Sequence, residues 1–211
     1  MKLYIISGLG ADRKVFENIN FPNVFSEIIY IDWLMPQPEE SFPDYVKRMA
    51  ETIEIDEKFC LLGYSFGGIL AQEIHKLKPA QKIVILGSIK SHKEKSLAFQ
   101  LAKKSRIFEK VSESYFDEHK IKSLEWIRKV FHPKLWHYFT IKTPSYLKWS
   151  INKILEWESE ENPAVIQILA DKDIVFPPKY STPDYIIQNG THLFPVTKGK
   201  EVTKILEEVF Q

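Results

Sequence analysis

Six short apolar runs, each followed by a longer polar or amphipathic stretch, do most to limit what this chain can fold into. The runs are Leu3–Ser7, Glu27–Ile31, Phe59–Leu62, Lys82–Leu86, Val165–Ala170 and Tyr185–Gln188. They are rich in β-branched and aliphatic residues, and several are apolar nearly throughout, as strands covered on both faces must be. Between them, helical periodicity predicts helices at about Asp12–Ile19, Pro43–Ile53, Phe66–Leu77 and Lys198–Val209. The alternation implies an α/β fold, a mostly parallel sheet of about six strands flanked by crossover helices.

The rhythm breaks once. Between Ser88 and Pro163 no strand-like run occurs and helical patterns follow one another. The expected organisation is a core made of residues 1–87 and 164–211, with 88–163 as a helical insertion. That insertion holds Trp126, Trp136, Trp149 and Trp157, four of the five tryptophans, with Phe99, Phe108, Tyr115, Phe116, Phe131, Tyr138, Phe139 and Tyr146. Aromatics in this density are expected to form the insertion's own core rather than a ligand wall. From Lys90 to Lys153 there are fifteen Lys or Arg against six Asp or Glu, partly offset by the acidic run Glu156-Trp157-Glu158-Ser159-Glu160-Glu161. A solvated helical face accounts for this as well as an anionic ligand does.

Composition bears on the expected partners. With 29 Lys plus Arg against 28 Asp plus Glu, the formal charge is +1, which gives no electrostatic reason to expect nucleic acid or a membrane surface. A small molecule is the expected partner; nothing in the pattern specifies an oligomeric state. No run is long enough to span a bilayer, and the apolar stretch near Met1 is too short for a signal-peptide core. Cys60 is the only cysteine, so no intrachain disulfide forms; a reducing, cytoplasmic location is expected. Inside an apolar strand, Cys60 reads as a buried small hydrophobe.

Chemistry enters at Phe59-Cys60-Leu61-Leu62-Gly63-Tyr64-Ser65-Phe66-Gly67-Gly68, where an apolar strand meets an amphipathic helix through Gly-x-Ser-x-Gly. A serine at a sharp strand-to-helix turn exposes its hydroxyl above the sheet, and the flanking glycines let strand and helix approach without Cβ clashes. The helix beginning at Phe66 also points its positive end and free backbone N–H groups toward the place where an oxyanion would form. Asp173 and His192 stand just after two other apolar strands. In a parallel sheet those strand ends share one edge, the carboxyl edge where ligands bind. Asp171 follows the same strand as Asp173, and either carboxylate could face His192. His75 is expected to face solvent on the helix after Ser65, and His92, His119, His132 and His137 fall in the insertion. His132 and His137 lack the carboxylate and spacing of a zinc motif, so no metal is expected. Asp12 is expected to cap the helix that follows it, and Glu73 to be a helix-surface or supporting group.

These motifs, in this order, resemble the α/β-hydrolase superfamily over nearly the whole chain. Ser7-Gly8-Leu9-Gly10 resembles the family's oxyanion loop and Gly63-Tyr64-Ser65-Phe66-Gly67-Gly68 its nucleophile elbow. Ala170-Asp171-Lys172-Asp173-Ile174-Val175-Phe176-Pro177 is similar to its acid loop and Asn189-Gly190-Thr191-His192 to its histidine loop. Two features differ. Ser7 stands where many members have histidine, and the chain starts at what would be the family's third strand. The resemblance implies Ser65 as nucleophile, His192 as base and Asp173 as acid, four residues before Pro177. It implies backbone N–H donors at Leu9 and Phe66, a cap formed by Ser88–Pro163, and no cofactor. The expected activity is hydrolysis of a carboxylic ester or thioester of a small acyl substrate through an acyl-enzyme. Amide or carbon–carbon cleavage and acyl transfer use the same triad, and a non-catalytic ligand-binding protein that keeps the pocket is the alternative from another class.

Overall fold

A computed structural model describes residues 1–55, 57–117 and 137–211. Six strands, β1 (Lys2–Ile6), β2 (Glu27–Ile31), β3 (Phe59–Tyr64), β4 (Ile83–Leu86), β5 (Val165–Ala170) and β6 (Tyr185–Ile187), form one parallel sheet in the order β2-β1-β3-β4-β5-β6. The chain leaves β1 for β2 on one side and then crosses back to β3 on the other. In open parallel sheets such a reversal, here at the carboxyl ends of β1 and β3, is where ligands bind. Register aligns those ends: Ile6 pairs with Gly63, Tyr64 with Leu86, Leu86 with Ile168 and Ala170 with Ile187.

Strands β1, β3 and β4 are buried throughout, whereas the edge strands β2 and β6 are partly exposed. Alternate residues serve two cores, as the period of two demands. Tyr4, Ile6, Leu61 and Ile85 face helices α1 (Phe42–Ala50) and α2 (Phe66–Leu77). Leu3, Ile5, Cys60, Leu62, Val84 and Leu86 face Val15 and Phe16 of a short 3₁₀ turn and the last helix. Helix α1 starts where Ser41 accepts from the Asp44 N–H with Pro43 in its first turn, and buries Tyr45, Val46, Met49 and Ala50.

Between β4 and β5, the described residues carry α3 (Leu97–Ser105), α4 (Ile107–Lys110) and α5 (Pro144–Glu156), with 3₁₀ turns at His92–Glu94 and Glu113–Phe116. After β6 come α6 (Phe194–Thr197) and α7 (Gly199–Val209). Trp126, Phe131, Trp136, His119 and His132 lie outside the described residues.

Most elements fall within a few residues of their expected bounds. The helix expected over Asp12–Ile19 does not form; only Arg13–Phe16 turns, as 3₁₀. Asp12 does cap it, accepting from the Lys14 N–H at 2.8 Å. Propagation stops because the next residues are tied to the far end of the chain. Asn18 donates to Val196 O and the Asn20 N–H to Thr203 Oγ1, so the backbone leaves the helical path.

Of the described aromatics between β4 and β5, Phe108 and Phe116 pack on each other, 6.4 Å apart, while three others pack onto the core. Trp149 lies 4.5 Å from Tyr45 of α1, Tyr146 lies 6.0 Å from Trp33, and Trp157 donates through Nε1 to Glu73 on α2. Nor is the basic excess wholly solvated. Lys90 is buried and pairs with Asp184 at 2.9 Å, and buried Lys95 donates to the carbonyls of Leu155 and Trp157 at the end of α5. Burial holds the Lys95 ammonium down at about 8.

Candidate active site

Ser65 is the single residue between β3 and α2, and its backbone sits at φ 53°, ψ −119°. A non-glycine residue there is strained by roughly 1–3 kcal/mol, a strain that surrounding structure must hold. Two flanking glycines make the turn possible. A Cβ on Gly63 would stand 2.3 Å from Gly67 O, and one on Gly67 would stand 2.3 Å from Ser7 O and 2.4 Å from Ile6 O. The elbow therefore presses directly on the end of β1. The Ser65 N–H donates to Leu86 O at 2.8 Å, and Ser65 O accepts from the Gly68 N–H at 2.9 Å.

The loops after β5 and β6 are laced together at the same edge. The Asp171 N–H donates to Ile187 O, the Lys172 N–H to Gly190 O, and the Gly190 N–H to Asp171 Oδ1. Those bonds set His192 over Ser65, with Nε2 3.0 Å from Ser65 Oγ. On its other side Nδ1 lies 2.8 Å from Asp173 Oδ2. Asp173 Oδ1 accepts from the N–H groups of Val175 and Phe176 at 2.8 and 3.0 Å. A carboxylate only accepts, so Nδ1 carries the proton and Nε2 is left to take one from the serine hydroxyl. All three residues are buried.

Asp171 is elsewhere. Its side chain is exposed and bonded to its own turn, where backbone N–H groups of Asn189 and Gly190 hold its carboxyl below the usual range. The geometry thus pairs His192 with Asp173 and leaves Asp171 to the turn. Tyr64 braces the histidine loop by donating from its phenol to His192 O at 3.1 Å. Burial, and then the nearby charge of Asp173, push that phenol well above its ordinary value, so it stays a donor.

Phe66 directly follows Ser65, and Leu9 follows Gly8, where an added Cβ would stand 3.2 Å from Ser65 Cβ. Among the described residues, neither the Leu9 nor the Phe66 backbone N–H donates to a protein acceptor. The loop carrying Leu9 is heavily tied: Ser7 Oγ donates to Ala11 O at 2.7 Å, and the Ala11 N–H donates to Gly8 O at 3.0 Å. Gly10 O accepts from the N–H groups of Thr140 and Ile141, so the segment between β4 and β5 grips this loop directly. Trp33 adds a bifurcated bond from Nε1 to Ser7 Oγ at 3.0 Å and Gly8 O at 3.1 Å, while its ring stacks on Phe66 at 5.1 Å. Nothing in the motif pattern marked Trp33; the available signal was its place just past β2, at the same sheet edge.

The other candidates lie in structural roles. His75, expected to face solvent, is half-buried and accepts the Ala80 N–H on Nδ1, closing the end of α2, and burial lowers its pKa. His92 Nδ1 bonds Ser159 O, His137 packs on Tyr138, and Glu73 pairs with Lys76 as well as Trp157. Cys60 is buried. Among the described residues, no cluster of His, Cys, Asp and Glu of metal-binding size occurs, and no helix is long and apolar enough to cross a membrane.

No protein-family model matches the sequence, and no curated protein matches it. Solved structures do. A thermophilic esterase from Thermogutta terrifontis is similar with a TM-score of 0.67, over 100% of this chain and 89% of that one, at 13% identity. A carboxylesterase of the thaumarchaeon Nitrososphaera gargenis gives 0.63, over 99% and 89%, at 18% identity. The RedJ thioesterase of prodiginine biosynthesis in Streptomyces coelicolor gives 0.61, over 99% and 89%, at 15% identity. At these identities the likeness is one of fold.

Proposed function

We propose that this chain, which has the α/β-hydrolase fold, is a serine hydrolase that cleaves a carboxylic ester or thioester through an acyl-enzyme intermediate. The observation that carries the reading is the unbroken hydrogen-bonded run from Ser65 through His192 to Asp173, at 3.0 and 2.8 Å, on a serine held at φ 53°. The esterases and thioesterase of like fold support it by analogy.

In this reading Ser65 Oγ attacks the carbonyl carbon while its proton passes to His192 Nε2, and Asp173 stabilises the imidazolium. The carbonyl oxygen takes the negative charge and is received by the N–H groups of Leu9 and Phe66. Collapse expels an alcohol or thiol, which takes the proton from Nε2; water, deprotonated by the same nitrogen, then releases the acid. These steps use no cofactor and no metal.

Residues 88–163 act as the cap over a small acyl substrate, with 1–87 and 164–211 as the core. Phe99 on α3 supports this, stacking at 5.5 Å on Phe176, itself 5.9 Å from His192. The test is a panel of acyl esters and thioesters of graded length, with fluorophosphonate labelling. Stoichiometric labelling at Ser65 and a loss of at least about 10³-fold in Ser65→Ala are expected. Residual turnover within tenfold of the parent would remove the serine mechanism, and absence of both labelling and turnover would favour a ligand-binding protein.

A further inference from the structure

Resting on that reading, we infer that Trp33 is a positioning residue that aims the oxyanion donor at Leu9 and packs the one at Phe66. The N–H of Leu9 and the C=O of Gly8 belong to one rigid trans unit and point in opposite directions, so whatever fixes the carbonyl fixes the N–H. Gly8 O accepts from Trp33 Nε1 at 3.1 Å and from the Ala11 N–H at 3.0 Å. With both bonds on its carbonyl, this peptide cannot rotate, and its free N–H faces away from them. Donation to the carbonyl also polarises the unit and makes the N–H a stronger donor.

The second donor is arranged in the same way. The Phe66 N–H shares a peptide with Ser65 O, which the Gly68 N–H holds at 2.9 Å. The Phe66 side chain is stacked on the Trp33 indole with an interplanar angle of 4°. One buried side chain thus touches both halves of the donor pair, bonding the loop after β1 through its edge and packing the start of α2 with its face. Ser7 completes the grip, accepting from Trp33 and donating to Ala11 O. A tryptophan that only filled volume would need neither bond to the loop.

A misaimed donor weakens transition-state binding and leaves ground-state binding alone, so the effect falls on kcat. Trp33→Phe keeps an aromatic ring and removes the N–H. It is expected to lower kcat on a p-nitrophenyl acyl ester by about 10–100-fold with KM within about twofold, less than outright loss of a donor. Amide hydrogen exchange at Ala11 should quicken at least about tenfold as the grip on Gly8 loosens. Phe42→Leu is the packing control: Phe42 also stacks on Phe66, at 6.0 Å, without bonding the loop. It should lower thermal stability while kcat stays within about threefold.

Unchanged kcat in folded Trp33→Phe, or equal losses in Trp33→Phe and Phe42→Leu, would overturn the inference. If the parent itself shows no Ser65-dependent turnover, the hydrolase reading fails instead. Exchange at Ala11 then decides the positioning role separately, and an unaltered rate would overturn it.

Discussion

Replacing Asp173 by asparagine should disable the site through a single misplaced proton, because the structure dictates which way the new amide must face. Asp173 Oδ1 accepts two backbone N–H groups, from Val175 and Phe176. Only the amide oxygen of asparagine can accept them, so its NH₂ is driven to the position of Oδ2, 2.8 Å from His192 Nδ1. Nδ1 must then accept, which moves the ring proton to Nε2. A protonated Nε2 cannot take the proton of Ser65 Oγ, 3.0 Å away, and no negative charge remains to stabilise the imidazolium. The precedent for this change in a serine triad is a loss on the order of 10⁴-fold in kcat. Asp171→Asn offers the internal control. Its Oδ1 accepts from the Gly190 N–H at 3.1 Å, a bond an amide oxygen keeps, so turnover should stay within about threefold of the parent. The assay is steady-state hydrolysis of one ester by both variants, with circular dichroism to verify folding. Asp173→Asn activity within tenfold of the parent, or the reverse ranking of the two variants, would refute the reasoning.

Two further outcomes follow from the elbow and the loop beside it. Gly67→Ala places a methyl 2.3 Å from Ser7 O and 2.4 Å from Ile6 O, both rigid backbone; either the elbow or the end of β1 must move. A clear fall in thermal midpoint together with loss of fluorophosphonate labelling is expected, and a fully labelled, equally stable variant would contradict the packing argument. Leu9→Pro removes the proposed N–H donor and should cost roughly 10²–10³-fold in kcat, whereas Leu9→Ala keeps the N–H and most of the activity. Equal large losses in both, with folding intact, would show that the Leu9 side chain matters instead.

What the sequence determined by itself is what short-range pattern encodes. Apolar runs of about five residues set the strands, and their alternation with helical stretches set a parallel sheet whose carboxyl edge collects the strand ends. Gly63, Ser65 and Gly67 marked a strand-to-helix turn because each glycine answers a local steric demand. Ser65 and His192 were therefore legible, although they meet across 127 positions, since topology carries any strand end to that edge. The choice between Asp171 and Asp173 was not open to this logic: both follow β5, and only the resemblance of the acid loop favoured Asp173. It was decided by which carboxylate could be held by the N–H groups of Val175 and Phe176 while the other closed the turn onto Gly190. Periodicity likewise predicted a helix over Asp12–Ile19, and bonds from Asn18 and Asn20 to residues nearly two hundred positions away ended it early. The roles of Trp33, of Lys95 at the end of α5, and of the Thr140 and Ile141 N–H groups on Gly10 O are of the same kind. Each depends on a pair of atoms brought within about 3 Å by the packing of separate elements. No local spacing encodes such a pair, because its geometry exists only once the sheet and helices have been assembled.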